Sequence, residues 1–252
     1  MKLLDTVLHR RMMRIWRRTA RTAPAMSLDE LRRIRSKGAR LSHCLQESLA
    51  VAEHRLALPV VGSNAFPRPH GTDWSWRPEV WRLPLPTPGM ASVQSKSMLG
   101  REVKLFHDCA HSELSLRQVR NTREADLAPY GLRLDVFAFD GSFLSLVIDL
   151  PQEATEGLTK RHLIRLDTIA EMEKPLEIFA RLNIRHGPNT EQIVRELPLA
   201  AQESTVEFDL AYSNLNEKRV ERAWIDLIFE NPAMSQVTLR DVTFSRRPRA
   251  AL

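Results

Sequence analysis

The chain has 252 residues, 37 Lys/Arg against 31 Asp/Glu, and two cysteines, Cys44 and Cys109. That length suits one main domain with an accessory element and allows a real core. The two distant cysteines give no disulfide framework, which argues against a disulfide-stapled secreted scaffold and for a reducing, cytoplasmic setting. The formal charge of +6 sits at one end: residues 1–40 carry twelve Lys/Arg and three Asp/Glu, about +9, leaving about −3 for the remainder.

The opening, MKLLDTVLHRRMMRIWRRTARTAPA, lacks the unbroken apolar run of a signal peptide, because Arg10, Arg11, Arg14, Arg17 and Arg18 interrupt it. Nothing later approaches the ~18 apolar residues of a membrane span. At about 100° per residue, Leu4, Leu8, Met12, Ile15 and Trp16 share one arc of a helix, while the arginines from Arg10 to Arg21 gather on the neighbouring arc. An amphipathic helix ending near Pro24 is expected, its apolar side suited to the acyl boundary of a bilayer and its cations to acidic head groups. Nucleic acid would use the same charges but not the stripe, and the acidic body would repel it, so no nucleic-acid role is expected.

A second helix is predicted from SLDE, with Ser27 and Glu30 as a capping box. Leu28, Leu31, Ile34, Leu41, Leu45, Leu49 and Ala52 recur at three- and four-residue steps to about Leu56, and Gly38 is a candidate kink. Residues 1–58 thus form a basic helical segment. The alternatives to lipid for its apolar stripe are the 27–56 helix itself or a partner, through which the protein would oligomerise or act as a scaffold.

Residues 59–89 carry seven prolines and three glycines with little periodicity, a connector long enough to require packing or a function. It holds Trp74, Trp76 and Trp81. Exposed rings would be a platform for sugars; buried ones would latch the connector over a sheet edge. The latch is the expected reading.

From 90 to 252 the texture is alternating. GLRLDVFAFDG leads through Asp140–Gly141, a hairpin signal, into SFLSLVIDLP. PLEIFARLNI turns Leu176, Ile178, Ala180, Leu182 and Ile184 inward and Glu177, Arg181 and Asn183 to water, and STVEFDLAY and RAWIDLIFE repeat the pattern. Weaker strands are read at 92–98, 102–109, 112–119, 161–170 and 189–197. In QVTLRDVTFSRRP the phase shifts midway, which a β-bulge near Arg240–Asp241 reconciles. The fold class is mainly β: a two-sheet antiparallel β-sandwich, jelly-roll-like, preceded by an N-terminal α-helical segment. Leu134, Val136, Leu146, Ile148, Ile178, Leu182, Phe208, Ile225 and Leu227 are the predicted core.

The ending IDLIFENPAMSQVTLRDVTF resembles the closing strand of galactose-binding-like jelly rolls and carbohydrate-binding modules. The blocks RNTREADLAPYGLRLDVFAFDGSFLSLVIDLP and RLDTIAEMEKPLEIFARLNIRHGPNTEQIVRELPL resemble an uncharacterised alphaproteobacterial family over residues 70–250. The first resemblance implies a sandwich able to bind carbohydrate. The second implies no function.

Other chemistry is sparse. Arg117, Arg120 and Arg123 could clamp an anion, although Glu124 and Asp126 are at hand to neutralise them. His107, Cys109 and His111 would share a strand face and could hold a metal ion, but no further ligand group is recognisable, so neither a metal nor another cofactor is expected. Asp135, Asp149, Asp167, Glu171, Glu177, Asp209 and Asp226 supply carboxylates of which spacing selects no catalytic pair. No nucleophile-elbow, phosphate-loop or zinc-protease motif is present. The expected function is a non-catalytic binding protein with a glycan as candidate ligand at Trp74, Trp76, Trp81, Arg117, Arg120 and Arg123. Its basic helix, through Leu4, Leu8, Arg10, Arg11, Met12, Arg14, Ile15, Trp16, Arg17 and Arg18, would attach it peripherally to the inner membrane. An enzyme acting on carbohydrate or an anionic metabolite is the rival reading, and a scaffold with an exposed leucine seam on the second helix is another.

Overall fold

A computed structural model describes residues 2–57, 65–123, 125–199 and 203–249, with helical side chains described for 8–46, 48–49 and 52. The chain divides into two units, Met1–Ala52 and Glu53–Leu252.

In the first unit, α1 (Lys2–Thr22) ends where Pro24 forces a short 3₁₀ turn, Ala23–Ala25. Ser27 and Glu30 then form the reciprocal capping box: Ser27 N donates to Glu30 Oε2 at 3.0 Å and Glu30 N to Ser27 Oγ at 3.4 Å. They open α2 (Leu28–Ala57), a single helix that runs through Gly38. The glycine accommodates the ring of Trp16, whose Cη2 would lie 3.6 Å from a Cβ at that position.

The second unit is a sandwich of two antiparallel sheets. One comprises β2 (Gly89–Ala91), β5 (Leu114–Arg120), β6 (Tyr130–Val136), β8 (His162–Met172), β11 (Glu203–Asp209) and β13 (Ser235–Pro248), with β1 (Trp74–Trp76) attached to β13; its order is β11-β8-β13-β6-β5-β2. The other is ordered β10-β9-β12-β7-β4-β3, from β3 (Ser97–Leu99), β4 (Val103–His107), β7 (Leu144–Asp149), β9 (Ile178–His186), β10 (Asn189–Glu196) and β12 (Val220–Phe229). All nine predicted core residues are buried between them. The phase shift in β13 is a register shift against β8 between Leu239 and Asp241, where the bulge was expected.

The Asp140–Gly141 hairpin does not form. β6 and β7 lie in different sheets, and the chain between them crosses from one layer to the other. Asp108 holds the crossing, accepting from Ser142 N at 2.7 Å, Phe143 N at 3.2 Å and Ser142 Oγ at 2.6 Å. Its Oδ1 would stand 2.5 Å from a Cβ at residue 141, so glycine is needed there for close approach to a carboxylate.

Candidate functional site

The connector folds as a clasp on the first sheet. β6 accompanies β13 only as far as Leu239, and β1 takes over its place farther along, with Trp74 opposite Arg246 and Trp76 opposite Phe244. Trp76 stacks on buried Phe244 at 5.8 Å and on Trp74 at 6.5 Å. Both tryptophans are half-buried against the core. Trp81, in the four-residue helix α3 (Glu79–Arg82), is wholly buried and donates Nε1–H to Leu239 O at 2.8 Å, leaving no face for a ligand. Between them, buried Arg77 donates Nε and Nη2 to Asp241 at 2.9 and 2.7 Å, with its guanidinium 5.0 Å from the centre of the Phe66 ring. Burial pushes the Asp241 carboxyl above its ordinary range, against the pull of Arg77. Sequence reading found no element in the connector, because three- and four-residue pieces are too short to show a period.

Arg117, Arg120 and Arg123 do not converge. Arg117 and Arg120, three residues apart on β5, face opposite ways. Arg117 Nε lies 3.8 Å from Asp135, while Arg123 is paired with Glu171, which Arg240 also approaches at 2.6 Å. His107 is buried with both ring nitrogens engaged, Nε2 with Val93 O at 2.8 Å and Nδ1 with Cys109 N at 3.2 Å. That geometry withholds it from a metal, and no group of three potential metal ligands occurs among the described residues.

On α1, Leu8, Met12 and Ile15 are exposed, as are Arg10, Arg11, Arg14, Arg17 and Arg18; Trp16 is partly covered, and the side chain of Leu4 lies outside the described residues. On α2, Leu28, Leu41, Leu45 and Leu49 are exposed. No described helix is long and apolar enough to cross a membrane.

A further concavity lies elsewhere, on the outer face of the second sheet, a cleft of about 470 Å³. Cross-strand pairing sets out the sheet face that contains it in three rows. The first runs Phe106, Ser145, Ile228, Phe179; the second Lys104, Val147, Asp226, Arg181; the third Asp149, Trp224, Asn183, Gln192. Phe143, at the entry to β7, adds a further ring to its lining.

Alternation assigns all these positions to solvent, yet Asn183 is 1 % exposed, Asp226 4 % and Ser145 7 %. Buried polar groups on an outer face must find partners. Asp226 Oδ2 accepts three bonds, from Arg181 Nε at 2.9 Å, Arg181 Nη2 at 2.7 Å and Asn183 Nδ2 at 3.0 Å. Gln192 in turn donates to Asn183 Oδ1 at 2.8 Å. Lys104 is paired with Asp149, and Arg222 lies over the Trp224 ring at 4.8 Å. Among the described residues, Asp226 Oδ1 and Ser145 Oγ are buried without a hydrogen-bond partner. The site therefore offers aromatic surface beside a fixed polar network. The sequence analysis named Asp149 and Asp226 as strand carboxylates but had no signal that would join them to Trp224, Asn183 and Ser145.

The second unit is thus a two-sheet antiparallel sandwich with a polar, aromatic-lined cleft on one outer face. The whole chain, residues 1–252, matches the profile of a family of unknown function, DUF6478, and belongs to it. A comparison with curated proteins found no match. Similar solved structures include the family 11 carbohydrate-binding module from Clostridium thermocellum in complex with a β-1,3-1,4-mixed-linked tetrasaccharide, at 11 % identity over 65 % of this chain and 97 % of that one, TM-score 0.40. The xylan-binding domain of Paenibacillus barcinonensis Xyn10C matches at 10 % identity over 73 % of this chain and 100 % of that one, TM-score 0.37. The enzymatically active domain of a bacteriophage CBA120 tailspike matches at 8 % identity and TM-score 0.40 over 56 % of this chain, which spans 19 % of that structure. These are loose likenesses, and the ligands named for those proteins are theirs.

Proposed function

We propose that the protein is a non-catalytic glycan-binding protein and that the cleft on the second sheet holds the sugar. The observation that carries this reading is the cleft lining itself, where Trp224, Phe106 and Phe143 stand beside Lys104, Asp149, Arg181 and Arg222. Sugar rings have apolar faces that stack on aromatics and hydroxyls that satisfy acceptors and donors, and the cleft falls within the size range of small-ligand sites. Each carboxylate of the cleft is committed to a cation, Asp149 to Lys104 and Asp226 to Arg181. Glycosidic hydrolysis would require one carboxyl as acid and another as base or nucleophile, so binding is the better match. Isothermal titration of the full chain with a panel of oligosaccharides tests the reading: saturable heat for at least one is expected, and none for any would overturn it.

A separate observation favours attachment of the first unit to an anionic membrane surface on the cytoplasmic side. Leu8, Met12 and Ile15 stand exposed beside a row of exposed arginines, the pattern of an interfacial helix. The exposed leucines of α2 are also what a scaffold would present, but two copies of a segment carrying about +9 over residues 1–40 repel each other, whereas acidic lipid attracts it. Co-sedimentation with phosphatidylserine vesicles, lost with purely zwitterionic lipid and weakened by Leu8→Glu, is the expected result. A dimer in solution with no sedimentation would favour the scaffold instead.

A further inference from the structure

Building on the glycan reading, we infer that the cleft takes an acidic glycan, an oligouronide with one carboxylate docked on the guanidinium of Arg222. The lining sets three cations, Lys104, Arg181 and Arg222, against two carboxylates, Asp149 and Asp226. Asp226 is buried, while its partner Arg181 keeps 35 % of its side chain exposed. Lys104 and Asp149 are exposed to similar degrees and balance each other. A ligand therefore meets a net positive surface.

Arg222 is the cation this arrangement leaves over. It is exposed, and among the described residues no carboxylate pairs with it. β12 shifts register against β9 between Val220 and Arg222, and Glu221, inside the shift, pairs with Arg185 at 3.1 Å instead. Arg185 stands opposite Arg222 across the two strands. Like charges directly opposite each other are destabilising, and an anion bound beside them offsets that repulsion. Trp224, two residues along β12 on the same face, holds the Arg222 guanidinium 4.8 Å from its ring centre. Stacking occupies the flat face of a guanidinium and leaves its N–H edge for the two oxygens of a carboxylate.

The length of the cleft sets the size of the ligand. Arg222 and Ile228, both in its lining, are about 20 Å apart along β12. A single uronic acid cannot reach both ends. A chain of several units brings one carboxylate to Arg222 and lays the apolar faces of its rings along Trp224, Phe106 and Phe143. A neutral chain meets the same aromatic surface and leaves Arg222 without an anion.

Titration calorimetry of the full chain tests this with oligogalacturonides, oligoglucuronides and oligomannuronides, each beside the same oligomer after its carboxyl groups have been reduced to alcohols. At least one oligouronide should bind on the order of tenfold more tightly than its reduced counterpart, the effect of about one charge-assisted contact. The matching free uronic acid should bind more weakly than the oligomer. Arg222→Gln should remove most of the preference for the acidic form, and Arg222→Lys, which keeps the charge and loses the flat fork, should restore part of it. Neither should lower the melting temperature, because the side chain is exposed. Arginines of the first unit could hold an oligouronide by charge alone, and binding of that kind would survive Arg222→Gln. A wild-type chain that binds the reduced oligomers at least as tightly, or an oligouronide affinity unchanged by Arg222→Gln, would overturn the inference while leaving the glycan reading standing. Binding of no oligosaccharide, acidic or neutral, would remove both.

Discussion

The two outer faces of the sandwich are both rich in charge, but they use it differently. On the first sheet buried Arg77 closes on buried Asp241, and half-buried Arg240 on half-buried Glu171 and buried Asp126. On the second sheet the Asp226 carboxylate is triply bonded at one oxygen, while its other oxygen and the Ser145 hydroxyl are buried without a hydrogen-bond partner.

The contrast breaks most visibly at the clasp. Asp241→Ala leaves the Arg77 guanidinium buried without its anion, and stability should fall by about 3–5 kcal/mol, measured by denaturant unfolding. Trp81→Ala should cost a comparable ~3–5 kcal/mol, since it empties a fully buried site and orphans Leu239 O. Neither should change oligosaccharide affinity under conditions where the variant is folded. The converse change, Trp224→Ala on the second sheet, should weaken sugar binding by roughly 1–3 kcal/mol, on the scale of stacking on aromatic side chains, with little effect on the melting temperature.

How much of this could be read in advance follows from what alternation reports. It reports that one face of a strand is buried, so Leu134, Ile148, Leu182, Ile225 and their neighbours were legible, as was the bulge, which the change of phase after Leu239 gave away. The capping box at Ser27 and Glu30 was legible for the same local reason. Alternation does not say which sheet a strand joins, so Leu132–Val136 and Leu144–Ile148 looked like one hairpin. Nor does it encode curvature: Asn183 and Asp226 occupy positions that a flat sheet would give to water, and only the concavity of the second sheet buries them. The candidate ligand residues named from sequence were clustered along the chain, whereas the cleft draws between one and four residues from each of four strands.

The smallest expected effect concerns the clasp's pH dependence. Glu102 is half-buried beside Glu79, whose backbone N–H it accepts at 3.3 Å, and its partial burial first and the neighbouring charge second raise its pKa. A carboxyl whose folded value is raised stabilises the fold most at low pH, and that contribution is lost as pH rises from the ordinary glutamate range through the raised value. Glu102→Gln should flatten this decline and leave the chain slightly more stable at neutral pH, read from melting temperatures across a pH series.

β13 is the middle of the first sheet and the last strand of the described chain, with β8 on one side and β6 and β1 on the other. The bonds that seal the clasp close over 158 residues at Trp81–Leu239 and 164 at Arg77–Asp241. Long closures add little to the equilibrium cost, about 0.6 kcal/mol per doubling, but they slow folding. The cleft sheet has all its strands by Phe229, so during synthesis it can assemble while the other layer still lacks its centre. In that interval β6 and β8 present unpaired edges to any neighbouring chain. A chain cut short after Phe229 would keep every strand beneath the cleft and be the species most prone to aggregate.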